Sequence, residues 1–125
     1  MEFYRCEKCG NFVTLLTEKT ACTPKCCGEE MKKLEPNTTD GAHEKHVPVV
    51  SVNGNEYTVC VGEVEHPMLE EHYIQFVILE TDKGYAKKDL EPGEKPEVKF
   101  VLPEGEKAVA AYEFCNLHGL WKKDL

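Results

Sequence analysis

Five of the seven cysteines fall between positions 6 and 27, inside an N-terminal stretch whose apolar pieces are short: Phe3-Tyr4, Phe12 to Leu16 and Met31 to Leu34. A unit below about 40 residues buries too little surface to fold alone and relies on a metal, disulfides or a partner. The cysteine pattern selects the metal. Cys6-Glu-Lys-Cys9-Gly10 sets two thiolates three residues apart, so both reach one ion while the following backbone N–H groups bond the sulfurs. Cys26-Cys27-Gly28 supplies a second pair. Neighbouring side chains of an extended chain point to opposite sides, so both sulfurs ligate only where the backbone turns sharply, and Gly28 helps that turn. Four sulfurs predict a tetrahedral centre for iron or zinc, and spacing alone does not choose between them. Cys22 stands as an alternative fourth ligand in place of Cys26 or Cys27.

The remainder of the chain has a different pattern. Residues 36–42, PNTTDGA, are rich in turn formers and read as a linker between a unit at 1–35 and a second at 43–125. From position 47 the period is β. VPVVSV and EYTVCVG flank Asn53-Gly54, a hairpin signal. YIQFVILET, GYAKKDL, EVKFVL, AVAAYEFC and GLWKK follow, for about seven strands. Pro92 and Pro96 keep EPGEKP out of any central strand. No segment has helical period, and MLEEHY reads at most as a turn. Short strands at regular spacing predict an all-β unit, an antiparallel sandwich.

The 125 residues carry a net charge of −8, with a pI near 5.1. That balance argues against a nucleic-acid binder, which would usually show a basic face, and against an anionic membrane surface. No apolar run reaches the length of a membrane span, and MEFYRCEKCG has no apolar signal core. An odd number of cysteines, clustered, points to metal chemistry in a reducing cytoplasm rather than to disulfides. Cys60, within a strand, reads as a small apolar group.

All five histidines, His43, His46, His66, His72 and His118, lie outside the first unit, near strand ends or turns, and Cys115 precedes His118 by three residues. Imidazoles with one thiolate suit copper, iron or zinc. A blue-copper electron carrier would place Met beside Cys and His near the C-terminus, but GLWKKDL, which follows Leu117-His118, contains none. The excess of histidines favours a more highly coordinated ion, such as five-coordinate iron.

These motifs converge on a family. EKHVPVV, HPMLEEH and CNLHGLW resemble superoxide reductases, and YRCEKCGN with CCGEEM resembles a desulforedoxin-type module. Together, in this order and over almost the whole chain, they resemble the two-iron desulfoferrodoxins. Two features depart from the pattern: sixteen residues separate Cys9 from Cys26, one more than expected, and Cys22 is an added thiol. The resemblance implies a rubredoxin-like iron on Cys6, Cys9, Cys26 and Cys27, with zinc as the other metal for that site. It implies an immunoglobulin-like sandwich whose iron takes equatorial imidazoles from His46, His66, His72 and His118, and an axial thiolate from Cys115. It implies one-electron reduction of superoxide to hydrogen peroxide, a rubredoxin donor and a homodimer. It gives Glu44 as a carboxylate that caps the oxidised iron, and Lys45 as its neighbour beside the open position. The competing reading is a non-catalytic electron carrier of rubredoxin or cupredoxin type.

The chemistry fits these groups. Four neutral imidazoles and one thiolate leave a divalent ion with a net charge of about +1, which attracts an anion, and a thiolate donates electron density to its metal. The acidic chain repels superoxide at long range. Steering follows the local field rather than the total, and Lys45 is the cation placed to supply it.

Overall fold

The computed structural model describes residues 1–125, which form two compact units, Met1–Glu35 and Pro36–Leu125. In the first, β1 (Phe3–Arg5) is the centre of a three-stranded antiparallel sheet, flanked by β2 (Phe12–Thr14) and β5 (Lys32–Lys33). A separate two-residue hairpin pairs β3 (Lys25–Cys26) with β4 (Glu29–Glu30). Tyr4, Cys6 and Met31 form the buried cluster here, with Val13, Leu15 and Cys26 packed partly against it. One of the three is itself a thiol of the metal knuckle; Phe3 is buried as well, its ring 5.7 Å from that of Phe12, and a unit with so few buried apolar side chains relies on an ion or a partner for the rest.

The second unit begins with α1 (His43–His46), a single helical turn closed by Lys45 N–H to the Ala42 carbonyl at 3.1 Å and Val47 N–H to the His43 carbonyl at 2.9 Å. One turn is too short to leave a 3.6-residue period in the sequence, which is why HEKH reads as a strand entry. Seven strands follow: β6 (Pro48–Asn53), β7 (Glu56–Val61), β8 (Ile74–Thr81), β9 (Tyr85–Asp89), β10 (Glu97–Val101), β11 (Ala108–Cys115) and β12 (Gly119–Asp124). They form an antiparallel three-stranded sheet, β10-β7-β6, and a four-stranded sheet, β12-β11-β8-β9. This three-plus-four division is that of an immunoglobulin-like sandwich. The first hairpin turns at Gly54-Asn55, with Asn53 opposite Glu56, one residue later than Asn53-Gly54 alone suggests.

One core joins the two sheets. Val59, Val61, Val98 and Phe100 project from the smaller sheet, and Ile74, Val77, Leu79, Ala111 and Cys115 from the larger. In β7 and β10 alternate residues are buried, whereas β8 and the second half of β11 are buried on both faces. Their continuous apolar runs, IQFVIL and AAYEFC, follow from that. Among them Glu113 is fully buried, and neither carboxyl oxygen has a partner. Burial alone pushes its carboxyl well above the usual range.

Candidate metal centres

In the first unit the sulfurs of Cys6, Cys9, Cys26 and Cys27 converge within 4.8 Å of one another. The first pair sits on a knuckle in which Gly10 N–H bonds the Cys6 carbonyl at 2.9 Å and Cys9 N–H points at Cys6 Sγ at 3.4 Å. The second pair sits in the β3–β4 hairpin, where Cys27 and Gly28 are the two central residues, with φ of 52° and 76°. Positive φ at both positions is what a type I′ hairpin turn demands. Gly28 adopts it freely; Cys27 does so at a cost. This is the sharp turn that lets adjacent cysteines face the same way. Asn11 Nδ2 lies 3.5 Å from Cys26 Sγ. Cys22 is exposed and outside the cluster.

Four thiols this close cannot all ionise by themselves. The Cys9 N–H, assisted by that of Lys8, draws the Cys6 thiol down to about 6. The sulfurs of Cys9, Cys6 and Cys26 push Cys27 up to about 12. A bound cation removes that conflict, and four thiolates suit iron or zinc.

The second cluster gathers His46, His66, His72, Cys115 and His118, again with ligand atoms within 4.8 Å of one another. The four imidazoles close a ring, each nearly edge-on to the next: His46–His66, His66–His72, His72–His118 and His118–His46 centroids lie 4.6, 4.7, 4.9 and 4.8 Å apart. Cys115 Sγ lies 3.8 Å from His118 Nδ1. Each donor comes from a strand end or a turn. His46 ends α1, His66 follows β7, His72 precedes β8 within a bridge to Leu69, Cys115 ends β11, and His118 lies in the β11–β12 turn. The β8–β11 register shifts between Phe114 and Cys115, and such a bulge re-aims the side chain beside it.

The ring nitrogens show what the ring is built to hold. His46 Nδ1–H donates to the Ala42 carbonyl at 2.8 Å and His66 Nδ1–H to the Pro67 carbonyl at 2.6 Å. A carbonyl only accepts, so both Nε2 atoms carry lone pairs, yet they face each other at 3.1 Å. His46 Nε2 also lies 3.1 Å from His118 Nδ1. Protonation is no remedy, because burial lowers His46 and takes His66 to about 4. His72 Nε2 is buried without a partner. Converging lone pairs and an orphaned buried nitrogen fit a cation at the centre, with second nitrogens held by carbonyls as metal-bound imidazoles usually are. Three histidines would offer Nε2 and His118 Nδ1.

Glu44 and Lys45 lie on α1, exposed, immediately before His46. The charge of Lys45 reaches His72, whose pKa is lowered by burial first, then by His118 and Lys45. Their backbone is fixed from the other side. Val64 N–H bonds the Glu44 carbonyl at 2.9 Å, and at Gly62, φ +83°, a Cβ would stand 2.6 Å from the Lys45 carbonyl carbon and 2.7 Å from Glu44 O. His43 is exposed and outside the ligand set, its ring edge-on to Trp121 at 4.9 Å.

Sequence reasoning missed the residues that hold the ring together. Asn116 ties the His72 turn to the end of β11: its Oδ1 accepts Tyr73 N–H at 2.9 Å and its Nδ2 donates to the Glu71 carbonyl at 3.0 Å. Trp121, fully buried, stacks on His46 at 4.9 Å and donates Nε1–H to the His118 carbonyl at 3.0 Å. Both lie within CNLHGLW, but Tyr73 and Glu71, which Asn116 ties, and His46, on which Trp121 stacks, are more than 40 residues away in sequence and leave no local signal.

A closed ring of four imidazoles with one thiolate, on an antiparallel sandwich that follows a four-sulfur module, defines a two-centre non-haem metalloprotein. The chain belongs to the desulfoferrodoxin family: the Desulfoferrodoxin family model matches residues 38–124, and the model described as Desulfoferrodoxin, N-terminal domain, matches residues 1–34. It is 46% identical over 123 residues to the desulfoferrodoxin of Nitratidesulfovibrio vulgaris, covering 98% of this chain and 95% of that one. It is 44% identical over 125 residues to that of Desulfarculus baarsii, covering 99% and 96%. Among solved structures it is similar to the superoxide reductase from Treponema pallidum, with a TM-score of 0.81 and 38% identity over 98% of both chains.

Proposed function

We infer that the chain is a superoxide reductase, which adds one electron and two protons to superoxide and releases hydrogen peroxide. The observation that carries this is the ring of His46, His66, His72 and His118 with Cys115, beside family membership and likeness to a superoxide reductase over 98% of the chain. Four imidazoles to one thiolate exceed the two imidazoles and one thiolate of a blue-copper carrier, which disfavours that reading. Iron held by these five side chains would supply one-electron chemistry to a small anion.

The chain's own residues do the rest. Four neutral imidazoles keep the centre cationic overall. Cys115 is 0% exposed, and burial pushes its thiol up, so a bound cation would be what holds it as a thiolate. Lys45 holds a positive charge at the exposed edge of the ring, where it draws in a small anion and offers it a hydrogen bond. Glu44, exposed on the same turn, would offer its carboxylate to the oxidised ion. Solvent reaches this edge and supplies the protons.

The ligand sets are proposed in full as Cys6, Cys9, Cys26 and Cys27 for one iron and His46, His66, His72, Cys115 and His118 for the other. Residues 1–35 are proposed as a distinct module joined through 36–42 to the catalytic domain at 43–125. No helix is long and apolar enough to cross a membrane. The family resemblance supports a cytoplasmic homodimer re-reduced by rubredoxin, an electron carrier. The test uses full-length, iron-loaded protein and superoxide generated by a radiation pulse. One peroxide per superoxide consumed, with no dioxygen formed, is expected. One peroxide per two superoxides, with dioxygen, is dismutation and overturns the assignment.

A further inference from the structure

Residues 36–41 have the composition of a connector, but they lie along the edge of the larger sheet. Asn37 N–H bonds the Leu120 carbonyl at 3.0 Å, its Nδ2 donates to the Lys122 carbonyl at 3.1 Å, and its Oδ1 accepts Lys122 N–H at 2.8 Å. Asn37 thus caps β12 as a short extra strand would. Two residues on, Thr39 Oγ1 donates to the carbonyl of His118, the oxygen that also accepts Trp121 Nε1–H. The Thr39 side chain fills the space beside Gly119, where a Cβ would stand 3.1 Å from Thr39 Cγ2. Gly41 then passes between the indole and two imidazoles. A Cβ there would lie 3.0 Å from Trp121 Cζ2 and 3.3 Å from both His118 Cβ and His46 Cε1.

We propose that residues 37–41 are a strap that positions His118 and His46 in the metal ring, with Thr39 and Gly41 as its positioning residues. The proposal rests on the catalytic-centre reading above. Its physical basis is a short lever. His118 turns Nδ1, not Nε2, toward the ring, and Nδ1 is only two bonds from Cβ. Nε2 is three bonds from Cβ, so a given change of χ1 swings Nδ1 through a shorter arc, and His118 can make up less of any movement of its own backbone. His118 sits in a turn, where backbone freedom is greatest, so its carbonyl must be fixed from outside. Thr39 and Trp121 fix it from two sides. Gly41 leaves just enough room for the two rings to keep their edge-on geometry, and a methyl group there would press on both.

The test compares Thr39→Val, Thr39→Ser and Gly41→Ala in the full chain, loaded with iron. Folding is checked by far-UV circular dichroism. The readouts are the thiolate-to-iron absorption of the second centre and its affinity for Fe(II) in chelator competition, with the four-sulfur absorption as an internal control. Partners that orient a ligand are worth 10- to 100-fold in metal affinity. Thr39→Val is expected to weaken Fe(II) binding at the second centre by that factor and to shift its thiolate band. Thr39→Ser, which keeps the hydroxyl, is expected to restore both. Gly41→Ala is expected to shift the band while removing no hydrogen bond, and it carries the test should Thr39→Val not fold. A band and affinity equal to the unaltered protein in both Thr39→Val and Gly41→Ala overturn the strap and leave the centre standing. Absence of any iron–thiolate band at the second centre of the unaltered protein removes the catalytic reading and the strap together.

Discussion

At Gly62 the chain runs so close to the Glu44–Lys45 peptide that no side chain fits, and φ is +83°. The obstructing atoms are backbone, which cannot swing aside, and left-handed φ strains any residue with a Cβ. Gly62→Ala is therefore expected to destabilise the catalytic unit by about 1–3 kcal/mol, read as a lower denaturant midpoint. It is also expected to slow superoxide binding, because Lys45 moves with its peptide. Glu113 presents the opposite case. Its carboxyl is fully buried without a partner, so the fold bears a desolvation cost. Glu113→Leu, of similar volume, is expected to raise stability at neutral pH by about 1–3 kcal/mol, measured by the same denaturation.

The elements show how much of this was legible. All seven strands of the sandwich follow from runs such as EYTVCV and YIQFVILET, because a half-buried strand writes its burial into alternate residues and a fully buried one into continuous apolar runs. The side chains that converge in the two clusters were legible too, since cysteine and histidine are chemically conspicuous. What was not legible is whatever depends on long-range partners or on a single turn. α1 is too short to show a period. Residues 36–41 look like a connector because Asn37 bonds to β12, about 85 residues away. Asn116 belongs to the same class, joining the His72 turn to the end of β11. Asn116→Ala removes both side-chain hydrogen bonds and is expected to weaken Fe(II) affinity at the second centre about 10-fold or more. Hydrogen exchange at residues 69–73 is expected to quicken while β10 and β7 stay protected.

At the scale of the whole molecule, charge and stability are divided unevenly between the two units. Residues 1–35 carry six basic and six acidic side chains; the remaining nine and seventeen give the second unit all of the −8. The unit that must attract an anion thus does so against its own net charge, which makes the local cation decisive. Lys45→Met is expected to lower the rate constant for superoxide binding several-fold at low ionic strength and to flatten its salt dependence, since screening then acts on less attraction; pulse radiolysis across a salt series measures both. Stability divides the other way. The sandwich has a core drawn from both sheets, whereas the first unit buries Tyr4, Cys6 and Met31 as its cluster, one of them a metal-seeking thiol. Without an ion, the first unit keeps four thiols that cannot ionise together, and a hydrophobic cluster too small to offset the entropy of ordering 35 residues. Removal of both metals by a thiol-competing chelator is therefore expected to abolish amide protection across β1 to β5. The inner strands β7, β8 and β11 should keep theirs, with only the turns around His66, His72 and His118 loosened. Zinc added back should restore the first unit, because a closed four-sulfur site needs charge and tetrahedral geometry rather than redox chemistry. Persistence of β1–β5 protection in the metal-free chain would show that packing, not the ion, holds the first unit.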